Sequence, residues 1–390
     1  MELPPGYNIN KWLKHAVAKL QVALYGSKQG ALKWYLKLCS SLHELRLNHT
    51  HSNWGVFYAH IGCDILILAS HIDDCTLTGS SCELMGLFKG EIQARYKITD
   101  LGPISWVLGM KVIQDHIVWT ISLSQEPYID AIITKYNFSN LKPVSIPMDP
   151  NVQLSRTCPM SITNTAHMKN IPYRAAVGLL MYLAIATRPN IAFTISTITQ
   201  FSQDPRPKHW EAVKHIYRYL LGMKKLALTF RVGKQGLEGF TDADGASQEH
   251  HHAISGYAYI LDGGAVSWAS KKQELVTLST TEAEYVAAMH AAKEGIWLCR
   301  LIEEVFCPLT HPMPLHLDSQ SAIVLTKDGS YHAHTKHIDI RYHFICFVID
   351  NGSLRLLYCP TEDMVADTLT KALPSVKAKH FAASLRLHNI

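Results

Sequence analysis

Nine cysteines are spread over 390 residues, and no two of them form a Cys-x-x-Cys pair. That excludes a zinc-finger spacing or a disulfide framework and is the usage of reduced thiols in an intracellular chain. No long apolar run is present either. The longest uncharged one, Val177 to Ala186, is ten residues, about half of the ~20 that a membrane-spanning helix needs. The opening Met1-Glu2-Leu3-Pro4-Pro5-Gly6 lacks the basic region and apolar stretch of a secretory signal. There is no internal repeat. Charged residues make up only 18% and hydrophobic ones 47%, which excludes a disordered, collagen-like or coiled-coil chain. At this length two or three domains are expected.

What charge there is lies unevenly. The net is +5, yet residues 151–234 hold 12 Lys and Arg against 2 Asp and Glu, so this block carries +10 and the remainder −5. A basic block beside acidic regions suggests a polyanion held against carboxylate-bearing sites.

Apolar spacing of three and four residues predicts helices over 12–25 and 28–46. Strand-like runs at 54–59, 65–70 and 75–78 follow, then a helix over 81–96 and an apolar hairpin near 104–123. Residues 139–172, rich in Pro, Ser, Thr and Asn, read as a long loop. Helices are expected near 172–186, 189–202 and 207–222. Beyond Val232-Gly233-Lys234-Gln235-Gly236 the pattern changes. Strands are expected at 238–242, 254–261, 264–268, 313–318 and 353–359, and helices at 279–305, 319–327, 336–350 and from 361. That is an α/β layer of a size able to fold alone.

Four acids in this last region occupy similar places: Asp242 and Asp318 end strands, Glu284 lies in the first turns of the long helix, and Asp367 falls in the last helix. Apolar neighbours imply partial burial, and buried carboxylates need cations. Four converging carboxylates can hold two Mg²⁺ ions ~3.5–4 Å apart, one activating water and one stabilising the leaving oxygen of a phosphodiester. Spacing alone leaves open that these are capping or surface acids. Asp318 could cap the following helix, and Thr280 with Glu284 could form a variant capping pair. His250-His251-His252 could suggest a metal site, but a solvated loop is the simpler reading. In the first half, Asp73 and Asp74 follow an apolar strand at a hairpin tip. Strand alternation would let one bind metal while the other supports it.

The stretches Thr241-Asp242-Ala243-Asp244, Ser255-Gly256-Tyr257, Ser267 to Gln273 and Leu278 to Tyr285 resemble the RNase H domain of copia-type retrotransposon polyproteins. So do Asp318 to Ala322, Thr335 to Phe344, and Pro360 through Ala366-Asp367-x-x-Thr370-Lys371. The earlier stretches Ala23 to Gln29, His71-Ile72-Asp73-Asp74, Asp100-Leu101-Gly102, Tyr182 to Pro189 and His209-Trp210 through Leu220 resemble the reverse transcriptase of the same polyproteins.

The resemblance implies a multidomain α+β and α/β chain. A partial reverse-transcriptase palm (1–120) is followed by a basic helical thumb or connection (121–232), an RNase H-like mixed-sheet domain (236–373) and a C-terminal tail (374–390). It implies Asp242, Glu284, Asp318 and Asp367 as metal ligands, with Glu282 and Asp244 as adjacent alternatives, and Mg²⁺ (or Mn²⁺) as cofactor. Asp73 and Asp74 would be the palm acids, Asp73 binding metal. Lys28, Gln29, Arg188, Arg218, Lys271 and Lys272 would meet nucleic acid, the partners being an RNA–DNA hybrid and a nucleic-acid duplex, with no membrane.

The match begins just after the strand expected to bear a further palm Asp. The polymerase activity of the parent element is therefore expected to be lost, and hydrolysis of RNA in the hybrid kept. A non-catalytic nucleic-acid-binding or decayed remnant is the alternative. By family analogy the location is the cytoplasm, the nucleus or both. The oligomeric state is not legible.

Overall fold

A computed structural model describes residues 21–24, 26–155, 168–233, 236–245, 252–277, 279–327 and 339–390. It divides the chain into two units, residues 1–102 with 300–308, and residues 103–299 with 309–390. Of the helix expected over 12–25, residues 12–20 and 25 lie outside the described residues, and 21–24 carry no helix.

In the first unit, Ser27 starts helix α1 (Lys28–Glu44) by accepting from the Gly30 amide at 3.0 Å. Ser81 does the same for α2 (Cys82–Arg95) through the Leu84 amide at 3.2 Å. Such caps satisfy amides that have no partner inside the helix. Strands β1 (Asn48–His49), β2 (Val56–Ile61), β3 (Asp64–His71) and β4 (Asp74–Gly79) form an antiparallel sheet in that order. Period-two alternation sends Phe57 and Ala59 of β2 and Leu66 and Leu68 of β3 into one core with Leu42 and Phe88 of the helices.

The second unit holds two sheets. Strands β5 (Trp106–Val107), β6 (Met110–Asp115), β7 (Thr120–Ser124), β8 (Leu226–Arg231) and β14 (Leu387–Asn389) are antiparallel, in the order β14-β8-β7-β6-β5. Helices α3 (Glu126–Lys135), α4 (Tyr173–Ala186), α5 (Ala192–Thr199) and α6 (Pro207–Gly222) pack through Ile129, Ile133, Leu180, Ile198, Ile216 and Leu220. The helix expected over 189–202 is interrupted, because Pro189 opens a short 3-10 turn, Pro189–Ile191, ahead of α5. Residues 139–155 carry no helix or strand, and 156–167 lie outside the described residues.

The second sheet is the mixed one expected of an RNase H-like domain. Strands β9 (Glu238–Asp244), β10 (Ile254–Leu261) and β11 (Gly264–Lys272) pair antiparallel. Strands β12 (Met313–Leu317) and β13 (Leu354–Tyr358) then extend from β9 in parallel, giving the order β11-β10-β9-β12-β13. Between them run α7 (Thr280–Val305), α8 (Gln320–Lys327) and α9 (Asp339–Asp350).

The hairpin expected near 104–123 forms across the expected palm boundary at 120, and its strands belong to the sheet completed by β8 and β14. The helix expected from 361 is a 3-10 turn, Val365–Leu369, and then a separate α10 (Ser375–Ser384). Pro374 separates the two, since proline has no amide to donate and disfavours helical backbone at the residue before it. The residues expected to form a tail are thus α10 and β14. They seal a core in which Phe381, Leu385 and Leu387 meet Leu228 of β8, Ala258 of β10 and Ala265 of β11. Trp268 Nε1 donates to the Ala184 carbonyl at 2.7 Å, a further tie between β11 and α4.

Phe381 has no exposed surface, whereas Val376 on the same helix is 84% exposed. Phe381→Ala is expected to cost about 3–5 kcal/mol in urea denaturation. Val376→Ala is expected to stay within about 0.5 kcal/mol of the parent.

Candidate active site

Asp242 stands on β9 opposite Gly256 of β10. Asp318 follows the last residue of β12. Asp367 sits in the Val365–Leu369 turn, and Glu284 in the second turn of α7. The capping alternatives do not hold. Ser319, not Asp318, receives the α8 amide of Ala322 at 3.2 Å, and Ser279 receives the Glu282 amide at 3.2 Å. Both acids are thereby left for other work.

Three devices hold these elements together. Gly256 has no side chain to spare: a Cβ there would lie 2.8 Å from Leu369 Cβ and from Thr370 Cγ2. That absence lets the turn bearing Asp367 lie directly on β10. The buried Gln273, just past β11, donates from Nε2 to Ser255 Oγ at 2.8 Å and to the Ala283 carbonyl at 2.9 Å, which fixes the start of α7 beside Glu284. Thr370 donates its hydroxyl to Asp242 Oδ2.

One carboxylate oxygen from each of Asp242, Asp318 and Asp367 lies within 4.8 Å of the others. Glu284, 8% exposed, stands beside them. Burial above all, then the charges of Asp242 and Asp318, push its pKa up to about 9. Burial also raises Asp242 to about 6, against the pull of Lys371. Thr361 Oγ1 donates to Asp318 Oδ2 at 3.0 Å. Lys371 Nζ lies 2.8 Å from Asp367 Oδ1 and 3.7 Å from Asp242 Oδ2, and Lys377 Nζ lies 2.6 Å from Asp367 Oδ2. Glu284 Oε2 is buried with no hydrogen-bond partner among the described residues. Asp367 Oδ1 likewise accepts no hydrogen bond, its contact with Lys371 being an ion pair, and an all-oxygen donor set of this kind fits a hard divalent cation.

Gly256, Gln273, Thr370, Lys371 and Lys377 were not assigned to the site from sequence. The first four lie inside the quoted motifs, so the signal was present without a geometry to interpret it. Lys377 lies in the stretch taken for a tail.

Asp73 and Asp74 are in the other unit, at the exposed β3–β4 turn. Ile72 there has a left-handed φ of +59°, and its carbonyl accepts from Trp34 Nε1 at 3.0 Å. Among the described residues no third acid joins this pair. Lys28 and Gln29 are exposed at the start of α1. Arg218 is half-buried, its Nε donating to the Lys142 carbonyl at 2.7 Å. Lys271 is exposed, 3.5 Å from Glu274 Oε1, and Lys272 is half-buried at the end of β11. His252 Nδ1 pairs with the Gln273 carbonyl at 3.0 Å, and His250 and His251 lie outside the described residues.

Arg188 requires a correction. Expected to meet nucleic acid, it has no exposed surface. Its Nη2 donates to the carbonyls of Met223 and Lys224 at 2.9 and 3.0 Å, and burial lowers its pKa to about 10. It satisfies carbonyls just past the end of α6, a structural task in the chain's own interior.

The family model described as reverse transcriptase (RNA-dependent DNA polymerase) matches residues 1–150. The retrovirus-related Pol polyprotein from transposon TNT 1-94 of Nicotiana tabacum is 40% identical over 97% of this chain and 28% of its own length. That from transposon RE1 of Arabidopsis thaliana is 33% identical over 99% of this chain and 26% of its own. The chain spans about a quarter of these curated relatives. A solved LC11-RNase H1 in complex with RNA/DNA hybrid overlaps 34% of this chain and 93% of its own at 17% identity and a TM-score of 0.27, too distant to add to the topology itself. With relatives matched over nearly its whole length, the chain belongs to the copia-type retrotransposon Pol polyproteins, of which residues 1–150 match the reverse transcriptase model.

Proposed function

We propose that this chain cuts the RNA strand of RNA–DNA hybrids by divalent-metal-dependent hydrolysis. The observation that carries the reading is the convergence of Asp242, Asp318 and Asp367 within 4.8 Å, beside the buried Glu284, whose Oε2 has no hydrogen-bond partner among the described residues. Asp242, Asp318, Asp367 and Glu284 would hold Mg²⁺ or Mn²⁺. When bound, two such ions supply water activation and charge neutralisation at the leaving oxygen.

The remaining tasks fall to the chain. Gln273 and Gly256 keep the acid-bearing elements in place, and placement supplies much of the rate in phosphoryl transfer. Thr370 and Thr361 orient one oxygen each on Asp242 and Asp318. Lys272 pairs with Ile254, which pairs with Asp244, so Lys271 and Lys272 leave the sheet at the end where Asp242 stands. There they can meet a phosphate backbone without reading sequence. The hybrid would be recognised by its shape and 2′-hydroxyls.

The test is cleavage of a labelled RNA–DNA hybrid in Mg²⁺. Asp318→Asn is expected to lower the rate by more than about 100-fold, beyond the range for outer-shell partners of a metal site. Folded protein that binds the hybrid and never cuts it would overturn the hydrolytic reading in favour of a non-catalytic nucleic-acid-binding remnant.

A pH dependence follows from Glu284. Its pKa in the folded chain, about 9, exceeds the ordinary 4.5, so the folded state holds the proton more tightly than the unfolded state does. This contribution to stability is full below about 4.5 and is lost as pH rises towards about 9. In EDTA the melting temperature is expected to fall across that window. Glu284→Gln is expected to flatten the fall and to melt higher than the parent at pH 8.5, while cleavage is lost. An unchanged slope in the variant would show that Glu284 is not the group responsible.

A further inference from the structure

Asp367 has no exposed surface, and each of its oxygens faces an ammonium. The two lysines are held very differently. Lys377, on α10, also donates to the Thr361 carbonyl at 3.1 Å and lies 5.2 Å from the centre of the Phe381 ring. It is locked from the side of α10 and reaches Asp367 Oδ2 alone among the three converging acids. Lys371, one helical turn beyond Asp367, bridges Asp367 Oδ1 at 2.8 Å and Asp242 Oδ2 at 3.7 Å. Its ammonium therefore stands between two of the three carboxylates whose oxygens converge. About a third of each lysine's side chain is exposed, so exposure does not separate them; Lys371 differs in having, among the described residues, no counterpart of the carbonyl and ring contacts that hold Lys377, and its flexible stem has a way out to water.

Carboxylates this close repel one another and raise each other's cost of ionisation unless a cation stands among them. We infer that Lys371 is a tethered stand-in cation: its ammonium holds Asp242 and Asp367 together in the absence of metal, and a divalent ion enters by displacing it. Lys371 then sets the metal concentration the site demands. Lys377 stays in place and keeps Asp367 aimed at the centre. The exchange is one of charge only, a divalent ion in and a monovalent ammonium out to solvent. It rests on the hydrolytic reading for the purpose of the metal, but not for the displacement itself.

The experiment is calorimetric titration of the full chain with Mn²⁺ and with Mg²⁺ in the absence of nucleic acid, for the parent, Lys371→Gln and Lys371→Arg. Melting in EDTA shows that each variant is folded. Lys371→Gln is expected to bind Mn²⁺ at least about tenfold tighter, the scale on which one nearby charge moves such an equilibrium. It is also expected to melt lower than the parent in EDTA and to gain more from added Mn²⁺. Lys371→Arg, which keeps the charge, is expected to bind no tighter than the parent. Equal or weaker binding by a folded Lys371→Gln overturns the inference.

Should that variant fail to fold, lysine footprinting of the parent chain decides. Reductive methylation of Lys371 is expected to speed up on saturation with Mn²⁺ while that of Lys377 stays constant, and an unchanged rate at Lys371 overturns the inference. None of these readouts involves cleavage. A chain that behaves as described with metal and never cuts a hybrid leaves this inference standing and defeats the hydrolytic reading alone.

Discussion

Carboxylates repel one another, and repel more strongly the drier their surroundings. Asp242, Asp318 and Asp367 are nevertheless held with their oxygens within 4.8 Å, and Glu284 is buried next to them. Much of the surrounding architecture answers that one constraint. Hydroxyls of Thr361 and Thr370 and the ammonium groups of Lys371 and Lys377 face the acids. Burial, with the charges of Asp242 and Asp318 beside it, favours the neutral form of Glu284 and pushes its pKa up to about 9. The site stores electrostatic cost in the metal-free state, and a divalent cation can relieve it.

Holding the acids against that repulsion takes backbone precision from several elements. Gly256 admits the turn that carries Asp367 onto β10, and Gln273 joins β10, the end of β11 and the start of α7. Farther out, α10 and β14 return the end of the chain to the antiparallel sheet, so the mixed sheet and its neighbour share one core. Lys377 rides on that returning helix. The last seventeen residues therefore bear on the carboxylate centre although none of them is an acid of it.

The sequence was most legible where local pattern and local chemistry coincide. The strand at 254–261 and the helix over 207–222 follow directly from alternation and from three- and four-residue spacing. The four acids could be named because their motifs are short and contiguous. Legibility failed where a residue's role depends on what packs against it. Arg188 looked like a phosphate contact because its charge is visible in the sequence, while its burial beneath the end of α6 is not. The larger sheet that the hairpin near 104–123 joins was not legible, since nothing local indicates that β7 pairs with β8 across about a hundred residues.

By itself, then, the sequence determined the inventory: which acids are available, which family's motifs they stand in, where most helices and strands run, and that a basic block accompanies them. These are properties of residues and of short spacings, governed by propensity and periodicity. Only the tertiary structure decided that three of the acids meet, that Ser319 and Ser279 do the capping, and that Lys371 stands among the carboxylates with Lys377 behind Asp367. Those outcomes depend on contacts such as Asp242 with Thr370, 128 residues apart, and no local pattern encodes which distant side chain will fill a given space.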